Sequence, residues 1–180
     1  MTDTSTEHPL LANPAQYVLG ENREEVYLET AAHNRLAVQM LMDQTRHRFY
    51  ILSRDLDSEI FGTAELADSL SRLCRRSRHT DVRILIADNR KLIQRTHRLL
   101  PVIRQFSSYA QVRLLPRRFL HMEQNYVLVD DGGVLLRPHG DAYNGKVCFH
   151  NPNQHKELRE DFVHLWEHSD PDPNIRQLSY

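Results

Sequence analysis

The chain has 180 residues, 40% of them hydrophobic, which suits one domain with one core. No run approaches the roughly 20 apolar residues that cross a bilayer, and Met1 to Pro14 has neither the basic start nor the apolar stretch of a secretory signal. A cytoplasmic protein is expected, with Cys74 and Cys148 as free buried thiols, since they match no metal spacing.

The net charge of −1 conceals a segregation. Between Arg72 and Arg118 there are 13 Lys and Arg against 2 Asp and Glu, an excess of +11, and the rest of the chain carries −12. Two readings follow. The basic middle serves an anionic partner, or it pairs with the acidic ends within the fold or across an oligomer. The near balance of the two excesses favours the internal pairing.

In chain order, residues 1–22 read as a polar tail. A helix is predicted from about Arg23 to Gln44, with Val26, Ala37, Met40 and Leu41 at helical spacing. Phe49 to Ser53 is a strand opening into the charged loop Arg54-Asp55-Leu56-Asp57. Thr63 is a plausible N-cap for a helix carrying Leu66, Leu70 and Leu73, and Val82 to Ala87 is a second strand. A helix interrupted or bent near Pro101 is predicted over 91–106, then a strand at Val112 to Leu115. The runs Tyr126–Val129 and Val134–Leu136 around Asp130-Asp131-Gly132-Gly133 predict a hairpin. A strand at Lys146 to Phe149 precedes a last helix, about Asn153 to His168, striped by Leu158, Phe162, Leu165 and Trp166 and ended by Pro171 and Pro173. Residues 171–180 read as a second tail. The pattern is that of an α/β fold, a mixed sheet flanked by helices, with sites at the carboxyl ends of its strands.

Order and spacing over Arg23 to Ser169 resemble one half-unit of the phospholipase D superfamily. The segment Phe49 to Asp88 resembles its opening strand, helix and strand. Glu123 to Asp130 is similar to its H-x-K-x-x-x-x-D strand, and Tyr143 to Trp166 to its closing strand and helix, with Phe162 and Trp166 at family-like positions. The likeness is nearer still to an uncharacterised bacterial group whose members occur alone or beside N-acetyltransferase domains. The resemblance implies a phospholipase D-like sandwich over residues 23–170. It also implies a homodimer, because active members assemble their site from two halves.

The motif departs where the chemistry lies. With Asp130 as its aspartate, Glu123 stands where a histidine would attack phosphorus and Asn125 where a lysine would hold phosphate oxygens. Arg137-Pro138 replaces a Gly-Ser pair, and Lys146 follows Asn144 where a carboxylate is usual. The expected function is a non-catalytic binding or regulatory domain with a remnant phosphate-site cleft and no cofactor. The cleft candidates are Arg54, Asp55, Asp57, His121, Glu123, Asn125, Arg137, Asn144 and Lys146. The alternatives are an enzyme of altered chemistry using His121 with Asp55, Asp57 and Glu123, or an adaptor for an N-acetyltransferase.

Other signals have bland counterparts. Arg75, Arg76, Arg78 and Arg98 are candidates for anion contact, nucleic acid included, although no nucleic-acid motif accompanies them and arginines suit a helix carboxyl end. Asp55 with Asp57 could hold Mg²⁺, but an ion pair shaping the loop is the expected role. His164 and His168 have metal-compatible spacing and are expected to be solvated or to cap the helix end. No metal site is predicted.

Overall fold

The structure, a computed structural model, describes residues 7–94 and 97–176. In chain order its elements are α1 (Pro9–Ala12), β1 (Val26–Leu28), α2 (Ala31–Gln44), β2 (Arg48–Ser53), α3 (Ser58–Phe61), α4 (Ala64–Arg76), β3 (Asp81–Ile86), α5 (Arg90–Gln94), α6 (Leu99–Gln105), β4 (Ala110–Leu114), β5 (Asn125–Val129), β6 (Gly133–Arg137), β7 (Gly145–Cys148), α7 (Pro152–Glu167), β8 (Asp170–Pro171) and α8 (Pro173–Arg176). The strands form one mixed sheet in the order β1-β7-β6-β5-β2-β3-β4-β8. The β2, β3 and β4 strands are parallel, and every other pairing is antiparallel.

Both faces of the sheet are covered, which explains why β2 is apolar without a break. Phe49 and Ile51 face the core beneath α2, α4 and α6, joined by Val127 and Val129 of β5. The alternate residues Tyr50, Leu52, Tyr126 and Leu128 face α7, which buries Leu158, Phe162, Leu165 and Trp166 against them. This is the period-two division of a strand between two hydrophobic layers. Thr63 caps α4 by accepting the Leu66 N–H at 3.1 Å, and Asn151 caps α7 ahead of Pro152. Cys74 and Cys148 are buried free thiols, and burial pushes the Cys74 thiol up to about 11. No helix among the described residues is long and apolar enough to cross a membrane.

Three stretches differ from the sequence expectation. Val26 to Leu28 is an edge strand rather than a helix start: Val26 and Leu28 are buried, Tyr27 is exposed, and the backbone pairs with β7. The 91–106 stretch is two helices, because His97 enters the core between them and Pro101 sits in the first turn of α6, where its missing N–H costs nothing. The stretches read as tails also pack. Leu10 and Tyr17 reach the core at one end, while Ile175 does so at the other, after β8 has paired with β4.

Candidate ligand-binding cleft

Strand direction gathers the candidate residues. The carboxyl ends of β2, β3, β4 and β6 lie at one end of the sheet with the amino ends of β5 and β7. The loops there border a cleft of about 920 Å³ lined by residues 120–123 and 139–142 with Arg54, Asp88 and Arg90.

Arg54 is exposed on this wall, and its carbonyl accepts the N–H groups of Ala87 (3.0 Å) and Asp88 (2.8 Å), which joins the β2 and β3 loops. Among the described residues its guanidinium makes no ion pair or hydrogen bond. Asp88 is clamped by Arg90, whose hydrogen bonds hold its carboxyl down at about 2. His121 is exposed on the opposite wall.

The two loop aspartates are structural. Asp55 binds Lys91 Nζ at 2.6 Å. Asp57 caps α3 through the Glu59 N–H and accepts the Tyr143 hydroxyl at 3.0 Å. Between them Leu56 has a φ of 54° and is buried, with its N–H held by Ser53 Oγ and its carbonyl by His97 Nε2. His97 Nδ1 accepts the Leu99 N–H, so Nε2 carries the proton, and burial lowers the pKa of this ring. Among the described residues no group of three or more His, Cys, Asp or Glu is placed to hold a metal.

The strand-borne positions divide in the same way. Asn125 opens β5, is buried, and faces Arg137 across the ladder. Arg137 is 3% exposed, and its guanidinium is committed to the carbonyls of Gly140 (2.9 Å) and Ala142 (3.0 and 2.7 Å), with the Tyr143 ring 5.4 Å away. Burial lowers its pKa, and the field of Asp57 opposes that shift. Arg137 therefore ties down the 138–143 loop. β5 does not extend back to His121. Glu123 lies before the strand and takes His139 Nδ1 at 2.9 Å, both side chains largely exposed. Asn144 is exposed outside the cleft wall. Lys146 is also outside, pairing with Glu25 at 3.2 Å and lying over the Tyr27 ring.

The remaining basic candidates are elsewhere. Arg98 donates to the Gly62 carbonyl beside the cleft end. Arg75, Arg76 and Arg78 occupy the opposite end of the sheet, where α4 finishes. His168 Nδ1 is engaged by the His164 carbonyl at 2.8 Å. His139 was missed from sequence, though a signal for it existed. Extending the hairpin register that pairs Asn125 with Arg137 by two residues sets Glu123 opposite His139.

Solved structures share this fold. TrmBL2, an archaeal chromatin protein, superposes with a TM-score of 0.63 at 12% identity over 91% of this chain, which spans 59% of that one. Nuc from Salmonella typhimurium, a phospholipase D family member, gives 0.59 at 14% identity over 83% of this chain and 99% of that one. Phosphatidylserine synthase from Haemophilus influenzae Rd KW20 gives 0.57 at 14% identity over 87% of this chain and 41% of that one. The fold is the phospholipase D-like mixed α/β sandwich, one half-unit long. No curated protein sequence matches. Residues 30–178 match the model of a domain of unknown function, DUF7931, and the chain belongs to that family.

Proposed function

We propose that this domain binds a small phosphate-bearing ligand in the cleft and does not hydrolyse phosphodiesters. The observation that carries the reading is the commitment of the polar groups around the motif positions. Glu123 is held by His139, Asn125 is buried, and Arg137 is spent on backbone carbonyls, while Arg54 alone of the candidate cations stands exposed and unengaged on the cleft wall. An exposed guanidinium on a concave wall suits a phosphate oxygen pair, and His121 and His139 add ring nitrogens nearby. A second copy closing the cleft belongs to this reading, since Leu120 is 47% exposed on a wall that also carries Met122, Ala87 and Ala142. Calorimetric titration with a panel of phosphomonoesters and phosphodiesters tests it. Saturable binding that Arg54→Ala weakens at least tenfold is expected, with no turnover of bis-p-nitrophenyl phosphate. Unchanged affinity in Arg54→Ala would remove Arg54 from the site.

One observation favours a second reading, an enzyme of altered chemistry. The Glu123 carboxylate orients His139 in the way a general base is oriented. Turnover of a phosphoester with a pH profile that His139→Gln abolishes, and His121→Gln does not, would establish it.

A further inference from the structure

The end of the sheet opposite the cleft carries a separate charged face. Three contacts draw its segments together. The Arg76 guanidinium donates to the Thr45 carbonyl, the Asp81 N–H donates to the His47 carbonyl at 2.8 Å, and the His47 and His79 rings meet edge to face at 6.4 Å. Arg46, Arg75, Arg76 and Arg78 are all exposed on this one surface.

The carboxylates around it are already engaged. Asp130 accepts the N–H groups of Arg46, His47 and Arg48. Asp131 takes Arg48 at 2.5 Å and lies 3.9 Å from Arg159. Asp81 takes the Tyr50 hydroxyl and Arg83, and Asp43 takes Ser69, Gln39 and Arg72. Arg75 lies over the Phe106 ring at 5.7 Å. None of the four arginines has a carboxylate partner among the described residues. Within the basic segment, pairs to carboxylates elsewhere in the chain are made by Arg72 and Lys91, at the margins of this cluster or at the cleft. Internal neutralisation thus leaves the cluster charged. The carboxyl end of α4 accounts for cations at Arg75 and Arg76, but Arg46 and Arg78 belong to no helix.

We infer that this face binds the phosphate backbone of a nucleic acid, independently of the cleft and of the reading proposed for it. Duplex DNA presents one negative charge per ~1.7 Å of its axis, and clustered guanidinia neutralise successive phosphates by releasing counterions. The arginines are interleaved with His47 and His79 rather than with apolar side chains that would enter a bilayer. The binding is sequence-independent, because the face offers a helix end and turns rather than an element shaped for a groove.

Fluorescence anisotropy of a labelled duplex of about 20 base pairs and of an RNA of the same length, on the full chain, tests this. With three or four phosphates neutralised, affinity falls on the order of 40–150-fold between 50 and 200 mM salt. Arg46→Glu with Arg78→Glu removes binding at least tenfold without lowering the melting temperature, because neither side chain makes an internal bond among the described residues. Arg75→Ala with Arg76→Lys, which keeps a cation at the Thr45 carbonyl, weakens it less. Arg54→Ala leaves it unchanged. Absence of binding at 50 mM salt, or insensitivity to salt, overturns the inference. Loss of binding in Arg54→Ala but not in Arg46→Glu/Arg78→Glu would instead move the nucleic acid to the cleft, and binding only to phosphatidylserine vesicles would replace it with a membrane.

Discussion

Asn125 and Arg137 face each other across the β5–β6 ladder, both buried, and the loop after Arg137 closes over them. Gly140 is why that closure is possible. A Cβ there would stand 2.7 Å from Asn125 Oδ1, and the Gly140 N–H donates to the Glu123 carbonyl at 2.7 Å. A lysine in place of Asn125 would bury an ammonium beside the hydrogen-bonded Arg137 guanidinium. We expect Asn125→Lys to cost about 3–5 kcal/mol, the penalty of an unpaired buried charge, measured by urea unfolding. Glu123→His with Asn125→Lys is expected to show no turnover of bis-p-nitrophenyl phosphate. Activity in that double variant, with wild-type stability, would show that a histidine and a lysine at these two positions suffice for turnover.

Asp130 sits at the far end of β5 from the cleft. Its carboxylate receives three backbone N–H groups from residues 46–48 at 2.9 to 3.0 Å, and its own φ is 47°. The carboxylate contacts fix the entry to β2, and the positive φ belongs to the turn between β5 and β6. Asp130→Ala should destabilise the domain by about 2–4 kcal/mol, since hydrogen bonds to a charged acceptor are worth about 1.5–3 kcal/mol each and their losses are not additive. Asp130→Asn should lose less, because asparagine tolerates a left-handed backbone and keeps one acceptor oxygen. Equal losses for the two variants would mean that charge, not acceptor geometry, is what matters.

The strands and their direction were legible because apolar runs alternating with helices dictate parallel β2, β3 and β4, and a tight Asp130–Gly132 turn dictates the hairpin. Strand direction alone places Arg54, Asp55, Asp57 and Asp88 at one end, whereas His121 and Glu123 are candidates through the resemblance. β1 was not legible, since three residues of edge strand carry no periodicity of their own and form by pairing with β7. Nor was the fate of Arg137, because nothing in its neighbours announces that the guanidinium turns inward to the Gly140 and Ala142 carbonyls. Charge counting matches totals, whereas ion pairs need proximity: within the chain Arg46, Arg75, Arg76 and Arg78 meet no carboxylate among the described residues, and Asp130 spends its charge on backbone.

His155 gives the fold a pH dependence of known sign. It is 3% exposed on α7, and its pKa is pulled to about 4 by burial and then by Arg159, with Asp131 and Asp130 opposing and Arg48 adding to the shift. In the unfolded chain a histidine titrates near 6.5. Between those values the unfolded state binds the proton and the folded state does not, so stability falls as pH drops from about 6.5 to 4 and is fully present above. The contribution is on the order of 2–3 kcal/mol. His155→Gln should flatten the decline of melting temperature over that window. A decline of the same depth in the variant would assign the effect to other groups.

The last helix rests on an aromatic stack, and its loss can be read in two steps. Phe162 is fully buried, stacks on Tyr50 at 4.9 Å, and lies 6.0 Å from Trp166. Trp166 is 6% exposed, with the guanidinium of Arg113 4.4 Å and that of Arg83 5.4 Å from its ring centre. Truncating either aromatic to Ala should cost about 3–5 kcal/mol, which for a chain of this size lowers the melting temperature by about 6–20 °C. Trp166→Ala adds a specific consequence, because Arg113 Nε is buried without a partner among the described residues and the ring lies over its guanidinium. Replacing Trp166 by Leu and Arg113 by Met, singly and together, isolates that contact. A coupling of about 1–2 kcal/mol is expected for a cation over a desolvated indole. Additive losses would show that Trp166 stabilises α7 by area alone, and an unchanged melting temperature in Trp166→Ala would show that α7 does not dock on β2 and β5 in this way.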